Sequence, residues 1–135
     1  MKKNKAAVLL LAAAVLIAIG SVTVIGPCVH ADGSAAACTD TGRAILIDGC
    51  VLAALATVLL FVRTPGARAA IFLAALCAAV VCILLPGTIM PLCRMDTMHC
   101  RAVMQPSVMI LSGIAAIISL AGAATEWKKT RRTKA

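Results

Sequence analysis

Residues 6–26 read AAVLLLAAAVLIAIGSVTVIG, and no charge interrupts them. At 1.5 Å of rise per residue, a helix of this length reaches about 30 Å, the thickness of bilayer hydrocarbon. Three more runs of the same kind follow at 44–62, 69–87 and 102–124, with Asp48 the one charge among them. Inside lipid each backbone amide needs a partner within its own segment, so runs this rich in Val and Ile are still predicted to be helices. The expected fold is all-α: an integral membrane four-helix bundle made of two tandem helical hairpins. It forms a single transmembrane domain over 1–135, with outer loops at 27–43 and 88–101.

Composition points the same way. The chain is 62% apolar, 13% charged and 2% aromatic. A soluble domain carries roughly 45–50% apolar and about 25% charged residues. An ordinary cytosolic enzyme and a disordered tail are both excluded. The net charge of +8 does not indicate nucleic acid, because Phe61, Phe72 and Trp127 are the only rings available for base stacking. No segment outside the spans is long enough to bury a core of its own. There is no phosphate-cradling glycine loop, so any energy coupling would have to come from a partner chain.

Lysine and arginine set the expected orientation. Lys2, Lys3, Lys5, Arg63, Arg68, Lys128, Lys129, Arg131, Arg132 and Lys134 fall on one side of the four spans, and Arg43, Arg94 and Arg101 on the other. The basic side is cytoplasmic by the positive-inside rule, which places both termini there and both loops outside. Trp127 then suits an interfacial anchor, and the basic tail meets anionic lipid. A rival reading makes the first run a cleaved signal ending at Val29-His30-Ala31. Its 21 residues exceed the 7–15 typical of a signal's apolar region, which favours retention.

The outer loops hold four of the seven cysteines: Cys28 and Cys38 in the first, Cys93 and Cys100 in the second. An even set on the oxidising side is what a disulfide framework needs, and its connectivity stays open. Cys50, Cys77 and Cys82 lie within spans, where thiols behave as small apolar groups. An alternative reading recruits Cys28, His30, Cys93, Met98, His99 and Cys100 as ligands for copper or zinc. The only enzyme considered is a membrane thiol oxidoreductase. It lacks the C-x-x-C pair on which such chemistry relies, so no catalytic residue is assigned. Asp48 is an intramembrane acid and hence a functional candidate, with a pair to Arg43 or Arg101 as the bland alternative. Small residues recur every four positions at Ala14/Ala18, Gly49/Ala53, Ala74/Ala78 and Ala115/Ser119/Ala123, a spacing that permits close helix contact.

Pro27-Cys28, the polar loop to Cys38, Leu85-Pro86-Gly87-Thr88 and the run from Cys93 through Met98-His99-Cys100-Arg101-Ala102 together resemble a small bacterial four-span membrane protein family, domain of unknown function 4418. The resemblance implies two cysteine-bearing outer loops and no assigned activity. It also implies an accessory place beside ATP-driven transporters of the macrolide-exporter type. The expected role is therefore a non-enzymatic accessory subunit or interaction partner in the bacterial plasma membrane. Its neighbours are the lipid bilayer and a membrane transporter complex, with no resident cofactor and no oligomeric state assigned.

Overall fold

A computed structural model describes residues 5–23, 38–89 and 100–134. Four helices account for nearly all of them: α1 (Lys5–Val22), α2 (Cys38–Phe61), α3 (Pro65–Leu84) and α4 (Gln105–Lys134). A π-helical turn, Cys100–Met104, leads into α4. All four are long and apolar enough to cross a membrane. They form an antiparallel ring in which α1 packs mainly on α2 and α3 mainly on α4, while α1–α4 and α2–α3 contacts close it. This is the expected pair of hairpins.

The helices are apolar on every side, yet only 28–33% of each span is buried within the bundle. Large apolar side chains such as Leu9, Leu16, Ile47, Phe61, Ile110 and Ile117 point outward. A helix that is hydrophobic all round and half uncovered belongs in lipid. This is a multi-pass membrane protein.

What each helix buries follows alternating steps of three and four residues. On α1 these are Ala7, Leu10, Ala14, Ile17 and Ser21, and on α3 they are Arg68, Phe72, Ala75, Ala79 and Cys82. On α4, Val108, Ser112, Ala115, Ser119 and Gly122 continue the pattern to Glu126. A period of 3.5 produces the shallow crossing angle of left-handed bundles. Of the small-residue pairs, Ala115/Ser119/Ala123 are all buried, whereas Ala74 faces outward.

Two glycines set the closest approaches. A Cβ on Gly49 would lie 3.1–3.3 Å from the backbone N, Cα and Cβ of Ala18, so α1 and α2 nearly touch there. A Cβ on Gly122 would lie 2.5–2.7 Å from the Phe72 ring, which therefore occupies the space a side chain on α4 would need.

The helix ends differ from the apolar runs in instructive ways. α2 begins at Cys38, six positions before the second run, and carries Asp40 and Arg43 on its first turns. α3 starts at Pro65, whose fixed φ suits the first helical position, so only Val62, Arg63 and Thr64 separate it from α2. It stops at Leu84 because Pro86 lacks an N–H and Gly87 turns with φ 89°, and Ile89 N–H closes the turn on the Leu84 carbonyl at 3.1 Å. α4 runs through the whole basic tail, ten residues beyond its apolar run, since nothing there breaks a helix.

Replacing Gly122 with Ala should destabilise the fold by roughly 1–3 kcal/mol, the usual cost of overpacking. Gly113, which has open space around its Cβ position, should tolerate the same change with no loss. Thermal unfolding of both variants in mild detergent, followed by Trp127 fluorescence, checks the contrast.

Candidate functional site

Polar side chains inside the bundle form two groups, one near mid-height and one at the end where α2 turns into α3. The first centres on Asp48. Counting back from Phe61 at 1.5 Å per residue puts it about 20 Å from the C-terminal end of α2. It makes no ion pair with Arg43 among the described residues. Five positions along a helix turn the side chains about 140° apart, and Arg43 points outward. The side chain of Arg101 lies outside the described residues. The polar neighbour of Asp48 is instead Cys82 on α3, whose thiol is also beside Ser112 on α4.

Three helices thus contribute a carboxylate, a thiol and a hydroxyl to one point. Cys82 and Ser112 are fully buried. A thiol is a weak partner, and Asp48 Oδ2 and Ser112 Oγ have no hydrogen-bond partner among the described residues. Thr41 Oγ1, one heptad before Asp48, and Ser119 Oγ, one heptad after Ser112, share that condition. Residues seven apart stand on the same helix face about 10.5 Å apart, so these groups form a column along the bundle interior.

The second group closes the end of the bundle where α2 turns into α3. Arg68, in the first turn of α3, is 4% exposed. Its Nη1 donates to the Leu59 carbonyl at 2.6 Å and to the Val62 carbonyl at 3.1 Å, while Nε donates to Glu126 Oε1 at 3.4 Å. A cation at the end of α2 satisfies orphan carbonyls and complements the helix dipole. Glu126 is equally buried and also accepts from Lys129 Nζ at 3.1 Å. One guanidinium therefore ties α2, α3 and α4 together. Beside Glu126 lies a pocket of about 320 Å³ bounded by Phe72, Gly122, Thr125 and Lys129. Further out, Arg131 sits 5.8 Å from the centroid of the exposed Trp127 ring, which braces the expected interfacial anchor.

The loop sites fall outside this description. Cys28, His30, Cys93, Met98 and His99 lie outside the described residues, as do the side chains of Cys38 and Cys100. Among the described residues Cys50, Cys77 and Cys82 are free thiols, and no group of three His, Cys, Asp or Glu comes together to hold a metal. Sequence reasoning singled out Asp48 but assigned Cys82 to the apolar core, counted Arg68 only as a topological charge and passed over Glu126. The heptad spacing Ser112, Ser119, Glu126 was the available signal.

Removing one partner of the buried pair leaves the other charge uncompensated, which costs roughly 3–5 kcal/mol. Glu126→Ala should lower unfolding stability in detergent by about that amount. The double change Arg68→Met with Glu126→Met should recover part of it, a pattern that a double-mutant cycle reads directly.

A model of one protein family matches residues 10–125, and that family is described as a domain of unknown function, DUF4418. No curated protein and no solved structure matches the chain. The match runs from within α1 to within α4 and takes in all three connections between helices, and the protein belongs to the DUF4418 family.

Proposed function

We propose that this protein is a non-enzymatic accessory subunit that docks, within the bacterial plasma membrane, onto a larger membrane assembly such as an ATP-driven transporter. The observation carrying this reading is the seam between α1 and α4. Toward the loop end of the bundle it opens into a groove of about 520 Å³, walled by Leu16, Ile19 and Ile110 and floored by Gly20, Thr23 and Ser107. Small and weakly polar residues in a lipid-facing groove let another transmembrane helix approach its backbone closely, which is the main source of helix association in lipid. In this reading both termini are cytoplasmic, as ten of the thirteen basic residues favour, and the loops lie outside, stapled by two disulfides among Cys28, Cys38, Cys93 and Cys100.

A photo-crosslinking residue at Ile110 should capture a membrane protein in stoichiometric yield from native membranes, whereas one at the exposed Leu73 on α3 should not. Gly20→Leu, which fills the groove, should abolish that capture while the chain elutes unchanged from a sizing column. Failure of any membrane protein to crosslink at Ile110 overturns the docking role. The loop disulfides are checked separately. Protein denatured without reductant should show three reactive thiols, Cys50, Cys77 and Cys82, and reduction should raise the count to seven.

A further inference from the structure

Hydroxyl side chains in a membrane helix have a partner close by, the carbonyl three or four residues earlier. Among the described residues six use it: Ser21, Thr23, Thr57, Thr125, Thr130 and Thr133. Thr41, Ser112 and Ser119 do not, although all three are fully buried. They present their oxygens to the bundle interior instead, in the same column as the unpartnered Oδ2 of Asp48. Four buried polar atoms left open along one axis point to an occupant that can donate to a carboxylate and exchange hydrogen bonds with hydroxyls. Water does both, and a carboxylate held in contact with water inside a membrane is a proton acceptor.

We infer that Asp48, with Cys82 and Ser112 around it, is a hydrated proton-binding site within the membrane, loaded from the loop end of the bundle past Thr41. The loop end is the nearer one, since Asp48 lies about 15 Å from the start of α2 and about 20 Å from its end. At the opposite end the Arg68 guanidinium stands across the column and opposes passage of a positive charge. On loading, a hydronium ion in the column gives its proton to Oδ2: one of its O–H bonds breaks, an O–H bond forms on the carboxyl and water is left behind. On unloading the carboxyl O–H bond breaks, the proton returns to water as hydronium and the carboxylate is restored. No oxidant or reductant takes part. Among the described residues, the titratable group facing Asp48 is Cys82 from α3. α4 offers the non-titratable Ser112, and α1 has no ionisable side chain between Lys5 and its end at Val22. This inference is independent of the docking role.

The test is infrared spectroscopy of the full chain reconstituted in lipid, titrated in pH and then transferred to deuterated buffer. The expected result is a protonated-carboxyl band that is lost in Asp48→Asn, persists in Asp48→Glu and shifts in frequency in Cys82→Ala and Ser112→Ala. Its deuterium exchange should slow roughly tenfold in Thr41→Val, the scale of one lost hydrogen-bonded step. Exchange in Ser119→Val, on the far side, should match the parent. Circular dichroism and a single sizing peak establish that each variant is folded. The inference is overturned if no band depends on Asp48, if Thr41→Val exchanges as fast as the parent, or if sodium at fixed pH removes the band, which would make the occupant a metal cation.

Discussion

Once a helix is in hydrocarbon, apolar area no longer decides which of its faces meets another helix, because acyl chains solvate Leu as well as Leu does. Everything specific about this bundle follows from that loss. The outward faces keep Leu16, Ile47 and Ile117, while the buried stripes are built from Ala, Gly, Ser and a few larger residues set against them. Gly49 against Ala18 brings two backbones within van der Waals reach, and Phe72 fills the space that Gly122 leaves. Dispersion contact at such points, not burial, selects the neighbours.

The second source of specificity is polar. A three-residue turn between α2 and α3 leaves carbonyls at the end of α2 and in the turn without partners at the membrane edge, and Arg68 reaches back to cover Leu59 of the helix and Val62 of the turn. That puts a guanidinium in a buried position, which in turn requires Glu126. The short turn, the buried cation and the acid on α4 are thus links in one chain of necessity. Lys129 then shares Glu126 from the next turn of the tail, so the basic tail is helical and anchored for the same reason.

The fold was largely legible in the sequence because its signal is the coarsest one available, four uncharged runs of membrane length. Less legible were the ends. The residues around Asp40 and Arg43 read as loop by polarity, yet they are helical because polar side chains at the rim of a membrane helix cost nothing in water. Of the interior site, Asp48 was visible as a charge where none belongs. Cys82 and Ser112 were not, since a thiol or hydroxyl in a membrane helix is ordinary and only its facing makes it otherwise. Arg68 misled by being counted with exposed lysines, a class defined by composition that says nothing of direction. The loop cysteines and their neighbours are a matter of sequence alone.

The division between contacts that hold the bundle and groups that fill it bears on what the interior is for. The six hydroxyls bonded to their own helices neither cost stability nor specify position. Each of the three that forgo that bond leaves a buried oxygen open, at about 1–3 kcal/mol if nothing fills it. Close packing does not need them. The tight approaches are at Gly49 and Gly122, and Ala at positions 41, 112 or 119 would extend the small-residue stripes already present. α1 illustrates the contrast, because it packs tightly on α2 at Ala18 with an interior stripe whose one hydroxyl, Ser21, is satisfied at home. The open oxygens belong to α2 and α4, the two helices that also carry the acids Asp48 and Glu126. Stability alone therefore gives no reason for these three oxygens, and their alignment with Asp48 in one column is the feature from which a hydrated interior is inferred.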